Sequence, residues 1–406
     1  MSFLDSIYEY IKSGAHRCGK LGLEIEHFVI DGSGRQIPFE VVSPLIEKVG
    51  SETGAEIIYI DGHPAGYYNG RYSVTLEPSC QFEISVNPYS SISEIEAVYR
   101  EFSSLWEPLF AQRGYRMVTK GLLPLVEAGM DPYELPLSPK KRYQYMDAYF
   151  RTSGKYGRYM MRATASTQVS MDYRSEEDLV RKLRILQKIS PILMIMMESK
   201  TEEDACLPGA AGRPHLLRTQ IWDDLDPART GFYPHSMEQD FDCRKMAEAV
   251  YRMALILLTQ GGISTYVGEK SAADLEREKV ISADGLSEEE IKSLVEHFLS
   301  MGFFHFRVKK FIEIRIADSV PLPKALGYAA LLKGIVYSDR NLEILERELE
   351  EIDGTEKIQE AVFRIEEKGR EAIIYRGRTA EQWIGRLVEL AKESLLENEK
   401  AYTDCL

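Results

Sequence analysis

The sequence predicts an α+β protein in which an antiparallel sheet packs against helices and a helical segment follows at the C-terminus. Three observations support this fold class. Four separate runs alternate apolar and polar residues with the period of a half-buried strand. Segments with helical spacing are interspersed among those runs, and the chain from about residue 339 to residue 400 is almost wholly helical in character. We expect one body over residues 1–338, with residues 339–406 packed on it as an extension.

Helical spacing predicts seven helices before the extension. They cover residues 2–13, 39–49, 91–112, 175–199, 240–259, 287–300 and 321–336. The start at Ser175 is well marked, because a serine that can cap the first turn precedes three acidic residues, which favour the positive end of a helix. The extension carries 17 acidic and 10 basic residues over 341–406, which accounts for half of the net charge of −14. A solvated helical face explains that surplus.

Four runs show the alternation that is typical of strands. They are Gly22–Ile30, Val74–Val86, Met161–Tyr173 and Phe306–Ile316. In each run most apolar side chains share one side. The opposite side carries charged or amide groups, which include Glu24, Glu26, Glu77, Glu83, Arg162, Gln168, Glu313 and Arg315. An ordinary antiparallel sheet with one face in water gives such a pattern.

The polar faces of these strands nevertheless contain unusual residues. Glutamate is depleted in strands, yet two of the runs each carry a pair of glutamates on one face. Neighbouring strands would then bring like charges together, which is unfavourable unless a cation lies between them. Mg²⁺ and Mn²⁺ prefer such oxygen ligands, and Arg162 and Arg315 on the same faces would bind a carboxylate or phosphate. The pattern leaves two interpretations open, a solvated sheet face and a magnesium–nucleotide site.

Charge and cysteine content restrict the location and the partners. Asp and Glu outnumber Lys and Arg by 64 to 50, which disfavours nucleic acid and anionic membrane surfaces as partners. The N-terminus lacks the apolar core of a signal peptide, and the longest apolar stretch, 189–197, is too short to span a bilayer. The cysteines are scattered without a C-x-x-C pair, at Cys18, Cys80, Cys206, Cys243 and Cys405. This usage fits a reducing compartment, so we expect a soluble, cytoplasmic protein.

Five segments of the chain, in order, carry a resemblance to a known family. The matching patterns are G-x-E-x-E at Gly22–Glu26, L-E-P-G-G-Q-F-E-L-S at Leu76–Ser85, T-x-Q-V-x-L-D at Thr164–Asp172, R-x-x-I-W-x-D-x-D-x-x-R-T-G at Arg218–Gly231, and Y-L-E-M-R-x-A-D at Phe311–Asp318. The chain therefore resembles the glutamate–cysteine ligases of the plant and proteobacterial type over residues 22–318, roughly three quarters of its length. One such segment would be weak, but together the five are specific at the level of the family.

The resemblance implies a fold and a reaction. The fold is the glutamine-synthetase-like catalytic domain of carboxylate–amine ligases, a curved, mainly antiparallel sheet with helices behind it. In the reaction, ATP phosphorylates the γ-carboxylate of L-glutamate. The amine of L-cysteine then attacks the acyl phosphate to give γ-glutamylcysteine, the first step of glutathione synthesis. The metal would be Mg²⁺, with Mn²⁺ as an alternative.

The resemblance also implies roles for individual residues. The metal ligands would be Glu24, Glu26, Glu77, Glu83 and Glu313, and the nucleotide contacts Gln168, Glu83 and Glu313. Arg218 and Arg315 would clamp the glutamate carboxylates or the transferred phosphate, and with Glu26 they form the catalytic set. Arg162 and Arg229 would be further substrate-binding residues, although Arg229 could instead be a turn residue tied to Asp226.

The chain departs from the family pattern at two places. Ser79 and Cys80 replace two glycines of the family, so the pocket near Glu77 and Glu83 could have a different shape. The family's arginine near Arg162 aligns one position further along the chain. Two alternatives therefore stay open: a ligase that joins glutamate to a different amine, and a non-catalytic nucleotide-binding homologue.

Overall fold

The computed structural model describes residues 2–16 and 19–406, so the prediction for Cys18 lies outside the described residues. Within that part of the chain, helices α1–α16 cover Phe3–Lys12, Phe39–Thr53, Ile92–Ala111, Pro124–Glu127, Lys141–Phe150, Gly157–Ala163, Glu176–Met196, Leu217–Asp223, Cys243–Arg252, Ala272–Arg277, Glu288–Ser300, Leu322–Val336, Asp339–Glu348, Thr355–Lys368, Ala380–Ser394 and Glu397–Lys400. Strands β1–β11 cover Leu21–Ile30, Glu56–Ile60, His63–Tyr68, Tyr72–Leu76, Phe82–Tyr89, Arg116–Val118, Ser166–Met171, Ala254–Gln260, Ile263–Ser271, Phe306–Val308 and Ile312–Asp318.

Nine of the described strands form one sheet, and β8 and β9 form a separate hairpin. The order is β10-β11-β7-β1-β5-β4-β3-β2, with β6 paired to the end of β1, and the pairings are antiparallel. In the register, Glu24 lies opposite Gln168 of β7 and Ser85 of β5, and Glu26 lies opposite Glu83 of β5. The α+β class with a mainly antiparallel sheet is thus confirmed. The two runs that carry pairs of glutamates also lie side by side, because β1 pairs with β5.

The apolar face of the sheet packs against helices. Ile25 of β1 and Phe82 of β5 are almost fully buried, and the Phe82 ring meets the Trp106 ring of α3 edge to face, with centroids 4.6 Å apart. Helix α12 lies against β1, and α7 lies against β11. Because the hydrophobic core occupies this side, the polar side chains of the same strands are directed to the other face.

The C-terminal helices pack closely on the body. Helices α13, α14 and α15 contact α7, and α15 also contacts α12. Glu399 of α16 is buried and accepts hydrogen bonds from Lys333 Nζ at 2.7 Å and from the backbone N–H of Ile92 at 3.2 Å. The predicted helical extension is confirmed, whereas the division of the chain at residues 338 and 339 stays a prediction.

One predicted strand begins later than expected, and this changes the setting of Arg162. Helix α6 continues to Ala163, and β7 begins only at Ser166. Arg162 therefore lies on a helix rather than on the polar face of a strand, and the predicted strand over 161–165 is wrong. Residues 161–163, which belong to the helix, are too few for alternation to separate a strand from a helix. Arg162 is fixed by an ion pair with Asp147.

Two other runs are hairpins rather than single strands. The run Val74–Val86 forms β4 and β5, which are joined by a tight turn, and the run Phe306–Ile316 forms β10 and the first part of β11. Cys80, in the first turn, has φ of 63°, a left-handed conformation in which glycine is favoured. The glycine of the family pattern at this position is thus explained by the backbone.

The predicted helix over 240–259 is correct only in its first half. Helix α9 ends at Arg252, and the apolar residues that follow form β8. A short continuous apolar run fits a buried strand as well as a helix, so spacing could not separate them. Among the helices in the described ranges, none is both long and apolar enough to cross a membrane.

Candidate active site

A cavity of about 400 Å³ opens on the polar face of the sheet, at the centre of β1. Its charged and amide lining residues are Glu24, Glu26, Glu77, Gln81, Glu83, Arg142, Gln168, Arg307, Lys309, Glu313 and Arg315. Apolar walls come from Met146, Met160, Met161, Trp222 and Phe303. The structure therefore brings seven of the residues predicted from the sequence to one cavity, namely the five glutamates, Gln168 and Arg315.

Four of the glutamates, Glu24, Glu26, Glu77 and Glu83, form a largely buried patch of carboxyl groups. Burial, reinforced by the charge of Glu313, raises the pKa of Glu24 to about 7. Burial and the charge of Glu77 raise the pKa of Glu26, and burial together with Glu24, Glu77 and Glu26 raises that of Glu83 well above the usual value. Burial, and the neighbouring carboxylates after it, thus disfavour the ionised form of Glu24, Glu26 and Glu83.

Hydrogen bonds hold Glu26 in a defined orientation. Its carboxylate accepts the backbone N–H of Ser166 at 3.0 Å, the Ser166 hydroxyl at 2.7 Å and the Gln168 side-chain amide at 3.1 Å. The carbonyl oxygen of that amide accepts a hydrogen bond from Arg315 at 2.6 Å. Gln168 therefore links the acidic patch to the arginine on the adjacent strand.

Glu313 differs from the other four glutamates because cations surround it. Arg307, Lys309 and Arg315 lie 2.5, 3.0 and 3.1 Å from its carboxylate oxygens. Burial alone would raise the pKa of Glu313, but these three cations hold it well below its usual range. Its charge is therefore already balanced, and it holds Arg315 in place.

Arg218 lies beside this cavity without an ion pair among the residues that the structure describes. It is the second residue of α8, 6 % exposed, and its Nε has no hydrogen-bond partner within the described residues. It lines a narrow space next to Arg315 together with Trp222, whose Nε1 likewise has no partner in the described part of the chain. Burial lowers the pKa of Arg218, and the charges of Asp318 and Glu26 oppose this effect. Two buried donors on one turn of helix are thus available to an acceptor that enters the space.

Arg162 and Arg229 are not among the residues that line either space. Arg162 is paired with Asp147 and donates from Nε to the backbone carbonyl of Leu135 at 3.1 Å. Arg229 is fully buried, lies 2.7 Å from Asp226 and donates to the carbonyl of Met301 at 3.1 Å. Of the two interpretations of Arg229, the geometry favours a turn residue tied to Asp226.

Several lining residues were not predicted from the sequence. Arg307 and Lys309 lie on the polar side of a predicted strand, so the alternation contained a signal for both. Arg142 and Tyr143 come from α5, whose residues show no clear helical spacing, and no signal in the sequence indicated them. Tyr143 lies 3.5 Å from Glu77, and burial raises its pKa well above the usual value.

The donor set suits a divalent cation that is shared with a phosphate. Glu24, Glu26, Glu77 and Glu83 supply hard oxygen atoms, and within the described residues none of them has a close ion pair like those of Glu313. No three His, Cys, Asp or Glu side chains of the described residues form a metal site on their own. Mg²⁺ usually takes one or two carboxylates and completes its shell with water and substrate phosphates, so such a patch fits.

Relatives from plants match most of the chain. A glutamate–cysteine ligase from Medicago truncatula, named as chloroplastic, is 25 % identical over 345 residues, which are 83 % of this chain and 65 % of that protein. The corresponding protein from Nicotiana tabacum is 24 % identical over 345 residues, 84 % of this chain and 64 % of that protein. The chain thus spans slightly less than two thirds of the length of these relatives.

The location predicted from the sequence needs a correction. The curated relatives are named as chloroplastic proteins, and this finding overturns the predicted cytoplasmic location. The prediction was wrong because a scattered set of cysteines and the absence of an apolar N-terminal core do not identify a compartment.

The fold and the family are independently supported. A crystal structure of a glutamate–cysteine ligase from Francisella tularensis in complex with AMP has a TM-score of 0.50 at 10 % identity and covers 96 % of this chain and 81 % of that one, which supports the fold. A model of the family described as Glutamate-cysteine ligase family 2 matches residues 20–200 and 205–405. Because this match covers almost the whole chain, the protein belongs to Glutamate-cysteine ligase family 2 (GCS2).

Proposed function

We propose that this protein ligates the γ-carboxylate of L-glutamate to the amine of L-cysteine, using ATP and a γ-glutamyl phosphate intermediate. The product would be γ-glutamylcysteine, the first intermediate of glutathione synthesis. Membership of the family and the AMP bound to the Francisella enzyme support this proposal. The single observation that carries it is the cavity in which the patch of glutamates lies beside Arg315, with the buried Arg218 in the adjoining narrow space.

The arginines suit the binding of glutamate and of the transferred phosphate. Arg315 lines the main cavity, and Arg218 lines the narrow space beside it. A guanidinium binds a carboxylate or a phosphate through two parallel hydrogen bonds, and the buried Arg218 Nε and Trp222 Nε1 provide further donors. Burial excludes water from these contacts, so they are stronger than at the surface. We assign Arg218 and Arg315 to the substrate, and Arg162 and Arg229 to the scaffold.

The glutamate patch would hold Mg²⁺ or Mn²⁺ with the nucleotide. Its protein ligands would come from among Glu24, Glu26, Glu77 and Glu83. When bound, the cation would neutralise the phosphates and stabilise the charge of the transferring phosphoryl group. Gln168 and Glu83 would contact the nucleotide. Glu313, proposed from the resemblance as a ligand and nucleotide contact, is better suited to orient Arg315, because three cations already balance it.

The chemistry requires no nucleophilic side chain from the protein. The acyl phosphate forms on the substrate, so the protein has to align the γ-carboxylate with the terminal phosphate and then admit the amine. We propose that residues 1–338 form the catalytic domain and that residues 339–406 support it.

A ligase for a different amine is the second candidate, suggested by Ser79 and Cys80. Neither residue lines the cavity, because the Ser79 hydroxyl donates to the backbone carbonyl of Pro136 at 2.7 Å and Cys80 is 4 % exposed. The replacement of two glycines thus alters the back of the turn rather than the cavity. The observation that suggested a different amine therefore does not alter the cavity.

An assay of ADP release tests the proposal directly. The rate should depend on glutamate, cysteine and Mg²⁺ together, and omission of any one should reduce it to background. The variant Glu26→Gln should lower kcat by about 100-fold or more, since it removes one charge from the patch. Glu56→Gln is the matched control, because Glu56 lies on an exposed strand at the edge of the same sheet.

Other outcomes would contradict parts of the proposal. Full turnover without cysteine would exclude a glutamate–cysteine ligase, and turnover with a different amine in its place would establish the second candidate. Binding of ATP without turnover for any amine would indicate a non-catalytic homologue. Equal activity of Glu26→Gln and Glu56→Gln would refute the role of the patch.

A further inference from the structure

We infer that Glu198 is a positioning residue that sets the place of Arg218 relative to Arg315. This inference rests on the proposed function, in which the two arginines bind glutamate together. Glu198 follows α7 by two residues and does not line the cavity, so no role for it follows from the matched patterns. Its carboxylate nevertheless contacts the residues just before α8, and its neighbour Ser199 contacts β11, so the two positions lie between the elements that carry the arginines.

Helix α8 begins at an unusual turn. Leu216, the residue before the helix, has φ of 56° and ψ of 39°, a left-handed conformation that a leucine rarely adopts. No side chain caps this end of α8 in the way that Ser175 caps α7. Arg218 is only two residues further on, so the conformation of Leu216 determines the direction in which the guanidinium leaves the backbone.

Glu198 holds this turn from outside the helix. One carboxylate oxygen accepts the backbone N–H of Leu216 at 2.6 Å, and the other lies 2.9 Å from Nδ1 of His215. The carboxylate therefore binds two consecutive residues at the start of α8. Its side chain is 13 % exposed, so water competes only weakly for these contacts.

The residue next to Glu198 reaches the strand that carries Arg315. The backbone N–H of Ser199 donates to the carboxylate of Asp318 at 2.8 Å, and Asp318 is the last residue of β11. Lys324 also donates to the backbone carbonyl of Glu198, at 3.2 Å. The pair Glu198–Ser199 thus joins the start of α8 to the end of β11, and it fixes the separation of the two arginines.

Removal of the Glu198 carboxylate should change the position of Arg218 and leave the proposed nucleotide-binding residues in place. Without an acceptor, the left-handed turn at Leu216 can relax toward common backbone conformations, and Arg218 moves with it. A displacement of about 1 Å in a binding group can cost about 100-fold in rate. Glutamate affinity should therefore fall, while ATP affinity should not.

The test compares Glu198→Ala with Glu127→Ala. Glu127 is a matched control, because its carboxylate accepts two backbone N–H groups of the same loop, those of Thr201 and Glu202, at 2.7 Å each. Glu198→Ala should raise the KM for glutamate at least 10-fold and change the KM for ATP less than 2-fold. Glu198→Gln, which keeps an acceptor for Leu216, should restore the KM to within 3-fold of the wild type. Glu127→Ala should keep the KM of the wild type.

Hydrogen exchange separates this inference from the proposed function. Amides 217–223 should exchange at least 10-fold faster in Glu198→Ala than in the wild type, even if the wild type shows no turnover with glutamate. Unchanged exchange there, or equal effects of Glu198→Ala and Glu127→Ala on the KM for glutamate, would overturn the inference. If Glu198→Ala does not fold, Glu198→Asp replaces it in both measurements. Its shorter side chain cannot contact Leu216 and His215 together, so the same changes in exchange and in the KM for glutamate are expected.

Discussion

Arg229 provides a quantitative test of whether a residue in a family pattern binds substrate or supports the fold. Its guanidinium is fully buried and contacts the Asp226 carboxylate at 2.7 Å, the Met301 carbonyl at 3.1 Å, the Tyr149 ring at 5.1 Å and the Phe150 ring at 6.0 Å. The variant Arg229→Met keeps most of the volume and removes the charge. Asp226 then loses its cation but stays buried.

The expected magnitude follows from this burial. Removing one partner of a buried ion pair costs about 3–5 kcal/mol. Unfolding entropy near 60 °C is about 2.1 cal/mol/K per residue, which for 406 residues gives about 0.85 kcal/mol/K. Arg229→Met should therefore lower Tm by about 4–6 °C. The double variant Arg229→Met/Asp226→Asn should recover part of this loss, because it leaves no unpaired charge.

A second ion pair in the chain is a close control. Arg277 and Asp274 have the same spacing of three residues and the same separation of 2.7 Å, but the Arg277 side chain is 72 % exposed. Arg277→Met should therefore leave Tm unchanged within about 1 °C. Scanning calorimetry measures both shifts, and the ADP assay measures the KM for glutamate. If Arg229→Met keeps the wild-type Tm and weakens glutamate binding, the structural assignment is refuted and Arg229 is a substrate ligand.

Two further predictions concern a carboxyl group and a turn. Burial raises the pKa of Glu366 from 4.5 to about 7, although the nearby Arg213 opposes this effect. Protonation of Glu366 therefore stabilises the fold fully below pH 4.5, and this contribution is lost as the pH rises through about 7. In Glu366→Gln, Tm should therefore fall less than in the wild type between pH 4.5 and pH 7. The same dependence of Tm on pH in both proteins would contradict the raised pKa of Glu366. Cys80→Gly should keep Tm within about 3 °C of the wild type, whereas Cys80→Val should lower it clearly, because a β-branched residue is strained at positive φ. Equal Tm values for the two variants would refute the role of the left-handed turn.

The acidic face could be predicted because alternation along a strand determines which side chains share a face. Glu24 and Glu26 follow this rule within β1. The predicted acidic face also remains correct although the run Val74–Val86 contains a turn between β4 and β5 that the sequence did not reveal. Thr75 pairs with Glu83 and Leu76 with Phe82, so partners differ by an even number of residues and alternation continues across the hairpin.

Other parts of the site depend on contacts that no local pattern contains. Arg162 and Arg229 match or lie near family positions, yet each is paired with a carboxylate, Asp147 or Asp226, which favours our assignment of both to the scaffold. Arg142 enters the cavity from α5, where apolar and polar residues show no clear period. Local spacing predicts which face a residue occupies, whereas the charge of its neighbours decides whether it is available to a ligand.

The register of the central sheet has a consequence for synthesis on the ribosome. β1 is made early, but its neighbour β7 lies about 140 residues later, and β11, which supplies Arg315 and Glu313, lies nearly 300 residues later. Until β11 emerges and pairs with β7, the carboxylates of β1 remain in water and ionise at ordinary pH. The binding cavity is therefore completed late in translation, and a chain released before residue 315 would carry the glutamates of the patch without Arg315.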